Sequence, residues 1–154
     1  VAGESCFYPE KTVSRGEFLS MLVQSLDIPT KEAAYEAIPE DTPAWLKPYL
    51  AAAVRSGLTA GLPDQEAFGA NTPITGAEAA VMLNNALDYA CGDTEAFAAD
   101  VPQWAASSVS ALAEQGIELN QGELSRGDVA KLLYQASCRM DDAPGMVVIR
   151  ANRE

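Results

Sequence analysis

The sequence predicts an all-α fold of repeated helix-loop-helix units, and three observations predict it. An apolar residue, a hydroxyl and an acid three residues after it recur as "VSRGE" at 13–17, "ITGAE" at 74–78 and "LSRGD" at 124–128. A longer segment occurs twice, "IPEDTPAWLKPYLAAAVRSGL" at 38–58 and "FAADVPQWAASSVSALAEQGI" at 97–117, in one register with an offset of 59. Within these segments the apolar residues recur at helical rather than alternating spacing. Self-similarity at such periods marks an array of one supersecondary unit. At 154 residues the chain is long enough for one domain with a sizeable core.

The first element is a helix over 14–26. Ser14 is its N-cap candidate, and Glu17, three residues on, completes a capping box in which two unpaired backbone N–H groups are satisfied reciprocally. Val13 stands before the cap, placed for a hydrophobic staple. Leu19, Leu22, Val23 and Leu26 then form one apolar face. Residues 30–37, "TKEAAYEA", read as a short extra helix. Pro43 suits the first turn of the next helix, where a missing N–H costs little. That helix runs to about Ser56, and Gly57 follows as its left-handed terminator. Pro48 lies inside it and either kinks the helix or marks its true start.

The pattern then repeats. Thr75 and Glu78, with Ile74 before them, open a helix over 75–90 carrying Ala79, Met82, Leu83, Ala86 and Ala90. Pro102 opens a helix that runs to about Gln115 and ends at Gly116. Ser125 and Asp128, with Leu124 before them, open a helix over 125–138 carrying Val129, Leu132, Leu133 and Ala136. Aspartate completes the box less well than glutamate, though its charge suits the helix dipole. Residues 141–145 read as a loop and "MVVI" at 146–149 as a short strand.

The repeated unit is therefore Asp-x-Pro-x-Trp, a helix, a glycine, a loop and the hydroxyl-x-x-acid helix. Residues 1–28 are the second half of a first, incomplete unit, whose Trp helix would fall before residue 1. Residues 29–91 and 92–143 are two full units, and 144–154 are a tail or the start of a following segment. The loop from Gly57 to Thr75 is 18 residues; from Gly116 to Ser125 it is 9. The three equivalent helices are candidates for a central three-helix bundle with pseudo-threefold packing.

Composition excludes several functions. The net charge is −12 and there is no histidine, which argues against non-specific nucleic-acid binding, since lysine and arginine must meet phosphate. It also argues against a histidine-based catalyst or zinc site. No apolar run approaches the roughly 20 residues of a membrane helix. Cys6, Cys91 and Cys138 fit no metal motif and read as buried thiols or one disulfide. "LPDQEAFGAN" lacks the calcium-loop pattern. No cofactor or metal is expected, and the oligomeric state stays open.

The quoted motifs, with "CFYPEKTVSRGEF" and "GLPDQEAFGANTPITGAEAA", resemble S-layer homology domains over roughly residues 5–140. That resemblance implies a three-unit helical prism that attaches surface proteins non-covalently to the cell wall, outside the cell. It implies as ligand a secondary cell-wall polysaccharide carrying anionic pyruvyl groups, held in grooves between units. By position Arg15 and Arg126 match the family's arginine, while Gly76 stands at that place in the middle copy. Asp64 and Phe68 match the family's loop residues, and Trp45 and Trp104 stand on the helices that shape the groove.

The residues themselves allow competing roles. An arginine at the first helical position faces the positive end of the dipole, which a helix built for stability alone would not choose. Combined with free backbone N–H groups it makes an anion site; paired with an acid or facing solvent it does not. Trp45 and Trp104 can stack on sugars, but a tryptophan at an amphipathic helix start more often anchors the core. Asp41 and Asp100 read as capping or turn residues. Glu17, Glu78 and Asp128 read as caps rather than as catalytic carboxylates. The leading function is a non-enzymatic surface anchor; the alternative is a degenerate structural or protein-interaction domain without glycan binding.

Overall fold

The computed structural model describes residues 8–30, 38–63, 68–90 and 101–146. The short helix expected at 30–37 lies almost wholly outside them. The architecture is all-α: α1 Arg15–Ser25, α2 Lys47–Arg55, α3 Gly76–Leu87, α4 Gln103–Glu114, α5 Arg126–Ser137, and a 3-10 turn Met140–Asp142. Among the described residues there are no strands, only isolated bridges. No described helix is long and apolar enough to cross a membrane.

Helix starts follow local chemistry. The hydroxyls of Ser14, Thr75 and Ser125 each accept from the backbone N–H three residues on, and each N3 carboxylate accepts from the cap's own N–H. α2 begins later than Pro43 suggests. Pro43 instead opens a turn whose carbonyl accepts from Leu46 and Lys47, and Pro48 sits in the helix's first turn. Of the two readings of Pro48, the true start holds, because its missing N–H is harmless there.

Helix ends are equally specific. After α2, Gly57 N–H donates to Val54 and Leu58 N–H to Ala53. After α4, Gly116 donates to Ala113 and Ile117 to Leu112. These are Schellman closures, and the glycines carry φ of +76° and +78°. α1 closes the same way through Asp27 at φ 59°. Replacing Gly57 or Gly116 by alanine is expected to cost about 1 kcal/mol each, read as a lower urea midpoint at unchanged slope. The second motif helix, α3, stops at Leu87, short of the expected residue 90. Asp88 is left-handed, and the Asn84 side chain bonds both the N–H and the carbonyl of Tyr89. Ala90 is accordingly exposed and outside the helix. Burial raises the Tyr89 phenol above its ordinary pKa; nearby Arg139 lowers it and Asp142 adds to the rise.

The residues before the three caps join the three capped helices. Val13 N–H donates to Leu124, Leu124 N–H to Ile74, and Ile74 N–H to Val13, at 2.9–3.1 Å, closing a ring of backbone hydrogen bonds. All three side chains are buried in the core with Phe18, Ala79 and Val129, the fourth residues of the same helices. Each of the three contributes roughly 1.5–3 kcal/mol through burial. Around this ring α2 packs on α1, α4 packs on α3, and α1 touches both α3 and α5. Ala143 and Met146 also join the core. Met146 stands in a helical turn, and the rest of the expected strand at 146–149 lies outside the described residues. Cys138 is exposed and unpaired, contrary to the buried or disulfide reading for that residue; Cys6 and Cys91 lie outside the described residues.

Candidate functional site

The helix N-termini carrying the arginines are already occupied by backbone. Arg15 N–H donates to Thr72 and Gly16 N–H to Ala70; Arg126 N–H donates to Lys11 and Gly127 N–H to Pro9, all at 2.8–3.0 Å. With the caps holding the N3 amides, these helix ends have no first-turn N–H left for an anion. The expectation of an anion site built from N–H groups is therefore corrected: any charge offered to a ligand comes from guanidinium alone.

Arg15 is itself held. Its Nε forms an ion pair with Glu78, and its Nη1 donates to the Phe68 carbonyl at 3.2 Å. Glu78 thus does two things, completing the α3 cap and receiving the first arginine of α1. The Arg15 side chain remains 24% exposed and that of Glu78 only 7%. Phe68 is half-buried against the core. Asp64 lies outside the described residues.

Gly76 has a different origin from simple loss of an arginine. A Cβ there would overlap the Asn120 carbonyl oxygen and come within 2.8 Å of its carbonyl carbon. Gly76 N–H in turn donates to Gly122 at 3.1 Å. The short third loop runs directly over the start of α3 and fills the space an arginine side chain would need. Gly16 and Gly127, one position further along their helices, meet their covering loops less closely, at 3.1 and 3.3 Å for a built Cβ. That leaves room for Arg15 and Arg126 beside them.

Trp45 is 50% exposed and Trp104 37% exposed. The preference for core anchoring is overturned; the neighbours Leu46 and Ala105 occupy the core instead. Leu46 reaches the start of α1, 3.1 Å from a built Cβ on Gly16, so Trp45 belongs to the same end of the molecule as Arg15. Asp41 lies exposed in a turn, while Asp100 is outside the described residues.

Two clefts flank α5. One of about 320 Å³ is lined by Met21 of α1 and by Arg126, Val129, Ala130 and Leu133. The other, about 290 Å³, includes Glu118, Asn120, Asp128 and Lys131. Sequence reasoning missed Asn120 and Lys131, which carry no motif signal; Met21 and Leu133 had matched as apolar pairs without pointing to a groove. Among the described residues no cluster of His, Cys, Asp or Glu could hold a metal.

No curated protein matches the chain. The family model of the S-layer homology domain matches residues 27–80, which begin just after α1 and take in all of α2, the long loop and the opening of α3. Domains of this family anchor surface proteins to cell walls without enzymatic activity. The motif order and the helix capping agree with this match to the S-layer homology domain over residues 27–80.

Proposed function

We propose that the chain anchors a surface protein by binding an anionic, pyruvylated wall polysaccharide, on a bundle whose three motif helices are related by a pseudo-threefold axis. The cyclic hydrogen bonds of Val13, Ile74 and Leu124 support the symmetry. The observation that carries the binding is the exposure of two large aromatic rings, Trp45 and Trp104, at matched places of two units. Leaving a large apolar side chain in water forgoes roughly 1.5–3 kcal/mol of burial, and an exposed ring has a π-face free to lie on a sugar. The cations are Arg126, on the groove between α1 and α5, and Arg15, whose guanidinium is fixed in place by Glu78 and Phe68. A fixed fork loses little rotamer freedom when a carboxylate arrives.

A second reading, an architectural domain without glycan affinity, is favoured by Gly76. α3, on which the Trp104 helix α4 packs, has glycine and no arginine at its first position, and the Asn120 backbone occupies that place. Cosedimentation with purified wall polysaccharide, native and stripped of pyruvyl groups, separates the two. The wild type pellets with the native polymer, Trp45→Ala and Arg126→Ala each weaken binding about tenfold, and removing the ketals reproduces the arginine loss. A wild type that stays soluble with every wall preparation sinks the glycan reading and leaves the architectural one.

A further inference from the structure

The turns over the starts of α1 and α5 are built alike. Over α1, Thr72 N–H donates to the Gly69 carbonyl, and the Thr72 and Ala70 carbonyls accept from Arg15 and Gly16 N–H. Over α5, Lys11 N–H donates to the Tyr8 carbonyl, and the Lys11 and Pro9 carbonyls accept from Arg126 and Gly127 N–H. All six bonds measure 2.8–3.1 Å. Tyr8 thus stands where Gly69 stands, and both backbones are left-handed, at φ 51° and 67°. Glycine takes that conformation without steric cost, whereas a bulky side chain there is strained. Burial gives little in return, because Tyr8 is 48% exposed. A strained residue with an exposed ring is one whose side chain does something the fold does not need.

The Gly69 position faces an arginine: a Cβ built on it lies 3.0 Å from Arg15 Nη1. The chain's two tryptophans stand at the starts of α2 and α4, which pack on α1 and α3. No tryptophan accompanies α5, yet Arg126 edges a 320 Å³ groove there. From the matched turns we infer that the Tyr8 ring stands beside the Arg126 guanidinium and is the aromatic of that site. It carries the face of a pyranose whose carboxylate substituent pairs with Arg126. The chemistry is complementary, since the ring offers a π-face to the sugar and the guanidinium a two-pronged donor to the carboxylate. The two arginine sites then differ in kind. Arg15 has glycine at its turn and Trp45 at its end of the molecule, while Arg126 has a ring in the turn itself. The inference rests on the glycan reading proposed above and adds to it the residue that selects the sugar.

The probe is a fragment of purified wall polysaccharide one repeat long, bearing its pyruvyl ketal, titrated calorimetrically into the full chain. Tyr8→Gly, which copies Gly69, is expected to weaken binding about fivefold. Its thermal midpoint should hold or rise by about 2 °C, because relief of the left-handed strain offsets the added freedom of the unfolded chain. Tyr8→Phe keeps the ring and should bind within about twofold of wild type. Combined with Arg126→Ala, Tyr8→Gly should add little further loss; combined with Trp45→Ala, the two losses should multiply, as for separate sites. Wild-type affinity in Tyr8→Gly, where Arg126→Ala still weakens binding, overturns this inference and leaves the glycan reading standing. A midpoint that falls together with affinity also overturns it, because the ring is then structural. Losses from Tyr8→Gly and Arg126→Ala that simply multiply overturn it as well. A wild type that binds no fragment, with or without ketal, sinks the glycan reading and this inference together.

Discussion

Gly76→Arg, the substitution that puts an arginine at the one motif helix lacking it, is expected to destabilise the protein by about 3 kcal/mol or more and to gain no ligand affinity. The first side-chain atom already collides with the Asn120 carbonyl. That atom is backbone and cannot turn aside, and the loop bearing it is pinned by the bond from Gly76 N–H to Gly122. Overpacking against a fixed neighbour costs roughly 1–3 kcal/mol and sometimes more, and moving the loop also breaks that hydrogen bond. In a chain of this size the midpoint should fall by about 10 °C. Gly76→Ala separates sterics from charge and should lose most of the same stability. A Gly76→Arg variant as stable as wild type would show that the third loop yields freely and that its closeness to α3 has no energetic weight.

Glu78→Ala carries the second large effect, about 3 kcal/mol. It removes a cap and strands Arg15. The cap part is worth about 1 kcal/mol, and leaving a mostly buried guanidinium without its partner adds more. Two comparisons divide the total. Glu17→Ala loses only a capping box and should cost about 1 kcal/mol. Glu78→Gln keeps an acceptor for the Thr75 amide but gives up the ion pair, and should fall between the two. Chemical denaturation of the three variants reads this order. Equal costs for Glu17→Ala and Glu78→Ala would mean that the Arg15 pair contributes nothing.

These predictions change what the middle unit means. In sequence, the series Arg15, Gly76, Arg126 looks like the decay of one position among three. In the structure, Gly76 and the halved third loop are one feature, since the shorter loop crosses where the side chain would lie. Arg15, which capping does not require, has a partner on α3. The carboxylate that sequence assigns wholly to the α3 cap is also the counter-ion of α1. Neither link can be read locally, because Arg15 and Glu78 stand far apart in the chain and each has a sufficient local explanation.

The sequence by itself determined the five main helices, the three capped starts and the two glycine stops. Capping pairs such as Ser14 with Glu17 and terminators such as Gly57 act within a few residues, so their chemistry is written where it operates. The repetition of these motifs is equally legible, and it carries the resemblance to the S-layer homology domain that the match over residues 27–80 supports. Only the tertiary structure decided which residues face water and which N–H groups are spent. Trp45 and Trp104 stand at helix starts that look ready for the core, but Leu46 and Ala105 take that space. The helix ends look ready for an anion, but carbonyls from segments distant in sequence reach them first. Both outcomes depend on competition for one volume or one donor between segments distant in sequence, and that competition is resolved only when the segments meet.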